Sequence, residues 1–250
     1  MPASDHPQDE RVRPYKKEYD YSYTLGAFPT YELLDARPEA VRGVYVHSGF
    51  TDRERLEARC AALHVPVRTD DRLLSRLSPK ENCYAAAVFD KYADRLIGSR
   101  DHVVLVHPGD MGNLGTILRT LAGFGIRDLG LVAPCADVFH PRTVRASMGA
   151  LFRIRTEVFG SFDEYAARNT DRDFYPFMLD GERTLRVSDC PASPRYTLVF
   201  GNEATGLDPS FGRIGQAVRI PQTTDIDSLN LTIAVGIGVF TFTEKNPRTD

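Results

Sequence analysis

From His102 onward, short apolar runs alternate with amphipathic segments, and this alternation limits the chain to one class of fold. Apolar runs occupy His102–Val106, Asp128–Ala133, Thr156–Val158, Phe174–Leu179, Tyr196–Phe200 and Ala217–Ile220. Helical spacing of apolar side chains marks Leu114–Phe124, Arg142–Ala150, Ser161–Arg168 and Leu229–Phe242. Strands taking turns with helices make a mostly parallel sheet with helical crossovers, so an α/β fold is expected. In such sheets ligands bind beyond the carboxyl ends of the strands, which directs attention to the loops there.

Three of those loops carry polar groups at telling positions. After Val103–Val106 and the turn His107-Pro108-Gly109-Asp110, Asn113 stands where the N-cap of the next helix is expected. Gly115 leaves the backbone open to a close neighbour. Arg119 follows Asn113 by under two turns, about 9 Å along the axis, so both can serve one ligand. The same residues also fit a capped helix with a surface arginine.

The second loop is Phe200-Gly201-Asn202-Glu203-Ala204-Thr205-Gly206-Leu207, where glycines flank an amide and a carboxylate at a strand end. A polar turn with Glu203 solvated is the plainer alternative. The third runs from Ile220-Pro221-Gln222 to Asp227-Ser228-Leu229-Asn230 and enters a helix apolar almost all round, which is expected to be buried. Capping accounts for Asp227 or Ser228 but leaves Asn230 as a buried amide in need of a partner. Between the first two loops, Arg142, Arg145, Arg153 and Arg155 form a basic cluster suited equally to phosphate or to solvent.

Other chemistries do not fit. No G-x-G-x-x-G opens the first helix, no acidic residue ends the strand at Ala133, and no P-loop spacing occurs. Cys60, Cys83, Cys135 and Cys190 are too dispersed for a metal site and read as reduced, buried thiols. The net charge of −3 neither advertises nor excludes a nucleic-acid partner. With no long apolar span and no signal-like start, a cytoplasmic protein with no membrane partner is expected.

Ahead of this part, residues 21–97 read as a small α/β domain. Helices are expected at Thr30–Ala36, Asp52–Leu63 and Asp70–Leu77, and strands at Val41–His47, Val65–Arg68 and Tyr84–Phe89. Lys91–Arg100 is a candidate linker. Residues 1–20 are polar and proline-bearing and read as a flexible extension. Arg11, Arg13, Lys16 and Lys17 flank Tyr15 there, the composition of a phosphate-seeking arm, but the acidic neighbours favour a solvated tail.

Together, Asn113-Leu114-Gly115 with Arg119, Phe200 to Leu207, and Ile220-Pro221 with Ser228-Leu229-Asn230 resemble the three motifs of the SpoU/TrmH family of RNA ribose 2′-O-methyltransferases, in the SPOUT superfamily. Arg145 to Ala150 is similar to a stretch that the family carries between the first two. The resemblance covers residues 98–250 and implies a SPOUT domain with a mostly parallel sheet and a deep trefoil knot. More loosely, it makes residues 21–97 a substrate-binding domain. It implies S-adenosylmethionine as cofactor, held around Phe200, Gly201, Asn202, Ile220, Pro221 and Leu229. It implies a catalytic set of Arg119, Asn113, Glu203, Ser228 and Asn230, with Arg142 and Arg145 toward ribosomal or transfer RNA. It also implies a homodimer whose sites borrow from the partner, and no metal. A non-catalytic RNA-binding or ribosome-assembly factor that keeps the knot is the rival reading, and a base-modifying enzyme of this fold is a third. The longer approach His107 to Gly112, and Glu81-Asn82-Cys83-Tyr84 in the small domain, depart from the usual family pattern.

Overall fold

A computed structural model describes residues 12–79, 83–179, 185–223 and 225–246 of the chain. The first α/β unit contains β1 (Tyr21–Tyr23), α1 (Ala27–Ala36), β2 (Val41–Val46), α2 (Arg53–Ala62), β3 (Val67–Thr69), α3 (Asp71–Leu77) and β4 (Ala85–Asp90). Its sheet runs β1-β4-β2-β3, with only the β2–β3 pair parallel. The second contains β5 (His102–Val106), α4 (Met111–Gly123), β6 (Asp128–Val132), α5 (Pro141–Ala146), β7 (Arg155–Phe159), α6 (Phe162–Arg168), β8 (Asp173–Pro176), β9 (Leu185–Arg186), β10 (Tyr196–Phe200), β11 (Val218–Arg219) and α7 (Leu231–Lys245).

The main sheet has the order β7-β6-β5-β10-β8 and every neighbouring pair is parallel. β5, β6 and β10 are buried along their whole length, as strands covered on both faces must be. The chain builds from β5 out to β7, crosses to the opposite edge at β8, and only then inserts β10 beside β5. The strand order therefore switches between β5 and β10, and a ligand crevice belongs at their carboxyl ends.

Both units share one buried core, from Leu33, Val44 and Phe89 to Leu118, Phe152 and Phe242. Phe89 meets Phe152 edge-on at 5.2 Å, and Arg37 holds both oxygens of Asp94 at 3.0 Å. The junction is thus packed like a protein interior.

Several elements differ from the sequence reading. β1 was not expected, yet all of its Tyr-Ser-Tyr is buried. α5 stops at Ala146 instead of Ala150, because Met148 and Gly149 both take left-handed backbone angles, φ 49° and 82°. α7 begins at Leu231 instead of Leu229. It is not buried all round: Leu231, Val235, Val239 and Phe242 face the core, while Ile233 and Phe240 are 53% and 51% exposed. The described part of the supposed tail, from Val12 on, is docked, with Val12 buried and Tyr15 bonded to Asp137. Arg11, Glu81, Asn82 and Thr224 lie outside the described residues. All four cysteines are free thiols, Cys60 and Cys190 buried, Cys83 and Cys135 half-buried. Among the described residues no helix is long and apolar enough to cross a membrane, and no cluster is placed to hold a metal.

Candidate active site

β5 ends at Val106, and His107 turns the chain with φ 56°, a left-handed angle uncommon for a residue bearing a side chain. That turn presents the His107 carbonyl to Asn202 Nδ2 at 2.7 Å. It also aims the next two amides at one carboxylate. Gly109 N–H donates to Glu203 Oε2 at 3.0 Å, and Asp110 N–H donates to Oε1 at 3.2 Å. Asn113 Nδ2 donates to the same Oε1 at 3.3 Å. Glu203 thus sits at the amino-terminal end of α4, where free N–H groups and the helix dipole favour an anion. Burial pushes its pKa up, but the donors, Gly109 N–H foremost, outweigh it and hold the carboxyl below its ordinary value.

The capping differs from the sequence reading. Asp110, not Asn113, caps α4, its Oδ1 accepting from Asn113 N–H at 2.8 Å. Asn113 lies inside the first turn, and its amide is free to reach Glu203. The expected close approach at Gly115 is present: a Cβ there would stand 2.5 Å from Ala146 Cβ, so this glycine lets α5 pack on α4.

The loop after β10 is closed on itself. Asn202 Oδ1 accepts from Ala204 N–H at 2.9 Å, and its carbonyl accepts from Gly206 N–H at 2.9 Å. A Cβ on Gly201 would stand 2.1 Å from the Gly206 carbonyl carbon, so only glycine permits this closure.

Beside the loop lies a cleft of about 240 Å³. It gathers Phe200, Gly201, Asn202, Glu203, Ile220, Ser228 and Leu229, seven of the residues singled out in the sequence. Pro221, Asn113, Arg119, Asn230, Arg142 and Arg145 are outside its wall. Asn113 reaches it through Glu203. Asn230 is exposed, not buried, and is itself the N-cap of α7, accepting from Thr232 N–H at 2.8 Å. Arg119 is exposed on α4, and its guanidinium has no partner among the described residues.

Arg142 is exposed and lies 3.5 Å from the Asp110 carboxylate; Arg145 is exposed on the same helix. The basic cluster is divided, because Arg155 forks onto buried Asp128 at 2.8 and 2.5 Å and Arg153 pairs with Glu32 at 2.7 Å.

Sequence reasoning missed Phe177, Gln222, Asp227 and Leu231 in the cleft wall. Gln222 and Asp227 fall inside the third motif, so its span was a usable signal. Phe177 stacks on Phe200 at 4.3 Å, a contact set by the pairing of β8 with β10, which no local pattern encodes.

Comparison with known proteins gives the family. Residues 101–240 match the SpoU rRNA Methylase family. A tRNA/rRNA methyltransferase of Synechocystis, itself uncharacterized, is 30% identical over 139 residues, 55% of this chain and 51% of that protein. A 23S rRNA (adenosine(1067)-2′-O)-methyltransferase of Streptomyces laurentii is 29% identical over 159 residues, 62% of this chain and 58% of that protein. The chain thus spans little more than half the length of these relatives. Among solved structures, a putative RNA methyltransferase of the TrmH family from Porphyromonas gingivalis superposes with a TM-score of 0.71 at 26% identity, over 89% of each chain. With the match running over residues 101–240, more than half of its length, the chain belongs to the SpoU rRNA Methylase family.

Proposed function

We propose that this protein transfers a methyl group from S-adenosylmethionine to a ribose 2′-hydroxyl of structured RNA. The observation that carries this reading is the junction of Asn113 and Glu203 beside the cleft, which ties the first motif to the second within a family of RNA methylases.

The cleft suits the cofactor. Stacked Phe177 and Phe200, with Leu231 and Ala234, offer an apolar bed for a purine, and Gln222, Asp227 and Ser228 offer polar groups for a charged tail. The bound cofactor supplies an electrophilic methyl carbon on a sulfonium whose departure leaves a neutral thioether. The rest falls to the chain. Glu203 accepts from Gly109, Asp110 and Asn113, with Asn202 Nδ2 at 3.5 Å, and is held ionised, so it organises the two loops and is not free to take the substrate proton. Asn230 fixes the start of α7 and hence the position of Ser228 and Leu229. The planar guanidinium fork of Arg119 suits it to position the RNA and stabilise developing charge, with the 2′-proton passing to substrate phosphate or water.

Arg119 lies outside the cleft of its own chain, on the helix whose Thr120 and Phe124 meet α7. Exposed Ile233 and Phe240 on α7, with Phe124 39% exposed, form an apolar face. A homodimer closed through this face carries Arg119 toward the partner's cleft. The late insertion of β10 between β5 and β8, and the return of Val218 to Phe177, support a knotted C-terminal segment. Residues 21–97 are the RNA-reading domain in this account, and 98–250 the methyltransferase domain.

Nucleoside mapping by mass spectrometry of ribosomal and transfer RNA, from cells with and without the gene, tests the reading. One 2′-O-methylated nucleotide should disappear with the gene. An unchanged set would favour the assembly-factor reading.

A further inference from the structure

The methylation chemistry leaves the described part of the N-terminal segment without a task, and the fold does not leave it loose. The Tyr15 hydroxyl donates to the Asp137 carboxylate. Its ring stands edge-on to His140 at 5.2 Å, with the Lys91 ammonium over its face at 4.5 Å. Tyr15 N–H donates to the Tyr23 hydroxyl at 3.1 Å, and Lys91 Nζ donates to the Lys17 carbonyl at 2.9 Å. Residues 12–20 are therefore a strap, pinned to the small unit by Tyr23 and Lys91 and to the large unit by Asp137 and His140.

The segment on which the strap docks touches the loop beside the candidate active site at two points. Ala136 N–H donates to the Pro108 carbonyl at 2.7 Å, and Pro108 adjoins Gly109, a donor to Glu203. His140 Nδ1 accepts from Arg142 N–H at 3.1 Å, and the Arg142 guanidinium reaches the Asp110 carboxylate at 3.5 Å. Lys17 is held on this same side by its own backbone, whose carbonyl accepts from Lys91 Nζ two residues beyond the Tyr15 anchor. The nearby acids are engaged elsewhere: Asp137 by Tyr15, Asp20 by Arg42 at 2.7 Å, and Glu18 by Lys16 at 3.9 Å. Lys17 is exposed, and its ammonium has no partner among the described residues.

The geometry points to a phosphate-contacting rim, in which the strap holds Lys17 beside Lys91, on the side of the large unit that carries Arg142, against the RNA backbone flanking the reacting ribose. This rests on the RNA-methylation reading and adds to it a contact surface outside the three motifs. A lysine held by a pinned backbone loses less freedom on meeting a phosphate than one on a mobile tail, which is the purpose of the Tyr15 anchor.

The test is filter binding of protein-free ribosomal RNA across a salt series, by the wild-type chain and by Lys17→Ala, Lys17→Arg and Tyr15→Ala. Calorimetric titration with S-adenosylmethionine and thermal unfolding run beside it. Lys17→Ala should bind RNA several-fold more weakly and flatten the slope of log K against log salt by roughly 0.7–0.9, the loss of one phosphate contact. Lys17→Arg should restore the slope. Tyr15→Ala keeps the charges but frees the strap, so it should also weaken RNA binding and speed tryptic cleavage after Lys16 and Lys17. Cofactor affinity should stay at the wild-type value in all three. A folded Lys17→Ala protein with wild-type slope and affinity would overturn the rim. A wild-type chain that binds neither RNA nor cofactor would overturn the methylation reading together with it, an outcome that the wild-type arms reveal on their own.

Discussion

Glu203 Oε1 accepts a hydrogen bond from Asn113 Nδ2 at 3.3 Å, joining two residues 90 positions apart in sequence. The contact exists because β10 pairs with β5 in register, Phe200 beside Leu105, so the loops that follow these strands emerge side by side. Two backbone N–H groups from the first loop and, at 3.5 Å, Asn202 Nδ2 also face the carboxylate.

Glu203→Gln turns one acceptor oxygen into a donor facing N–H groups. Full burial of an unmatched polar group costs about 1–3 kcal/mol; Glu203 is partly buried, so a smaller drop in unfolding midpoint is expected, with reduced turnover. The pH dependence has a definite sign. A carboxyl with a lowered folded pKa contributes stability above its unfolded pKa and loses it as pH falls through the folded value. The gap between wild type and Glu203→Gln should therefore be widest near neutrality and narrow on acidification in thermal scans. A gap independent of pH would contradict the role given to the ionised carboxylate.

Gly201→Ala places a methyl group against the Gly206–Leu207 backbone, which has no rotamer through which to yield. Overpacking of this kind costs about 1–3 kcal/mol or more, so both unfolding temperature and S-adenosylmethionine binding should fall. Calorimetry on a folded Gly201→Ala protein with full cofactor affinity would disprove the loop closure.

Arg119→Ala removes a side chain with no intramolecular partner among the described residues, so the stability change should stay within about 0.5 kcal/mol. Turnover should fall by a factor on the order of 10² or more if the guanidinium meets the reacting RNA. Cofactor affinity should hold, and Arg119→Lys should not restore full rate, because an ammonium lacks the planar fork. Single-turnover methylation with wild-type rate in a stable Arg119→Ala protein would remove Arg119 from the site.

Light scattering at micromolar concentration should give twice the mass of one chain. Ile233→Glu combined with Phe240→Glu should yield monomers, since both side chains lie on the exposed face of α7. A monomeric wild type would contradict the shared-site arrangement.

How far the sequence reached is clearest at α7 and α4. A helix over Leu229–Phe242 was legible from its apolar density, against Leu231–Lys245 in the structure, but its exposed face was not. Periodicity cannot distinguish a side buried in the core from one left open, and here the open side holds Ile233 and Phe240. At α4 the helix and its packing glycine were legible, whereas the cap was displaced by one turn. Asp110 and Asn113 are both good N-caps, and only the path of the His107 turn decides between them. The loops bearing Glu203 and Ser228 were legible because strand ends in an α/β sheet are privileged positions. Phe177 was not, since its place beside Phe200 depends on the order in which strands enter the sheet. The docking of Tyr15 on Asp137, 122 residues away, was hidden for the same reason.

Identification of the methylated atom separates ribose methylation from every other reading of this site. Purified protein is incubated with protein-free ribosomal and transfer RNA and with S-adenosylmethionine carrying a deuterated methyl group. The RNA is then digested to nucleosides and analysed by tandem mass spectrometry. A deuterated methyl group is expected on the ribose of one nucleoside, with loss of that signal in Arg119→Ala. A label on a base, or none on any RNA from a protein that binds the cofactor, would contradict ribose methylation.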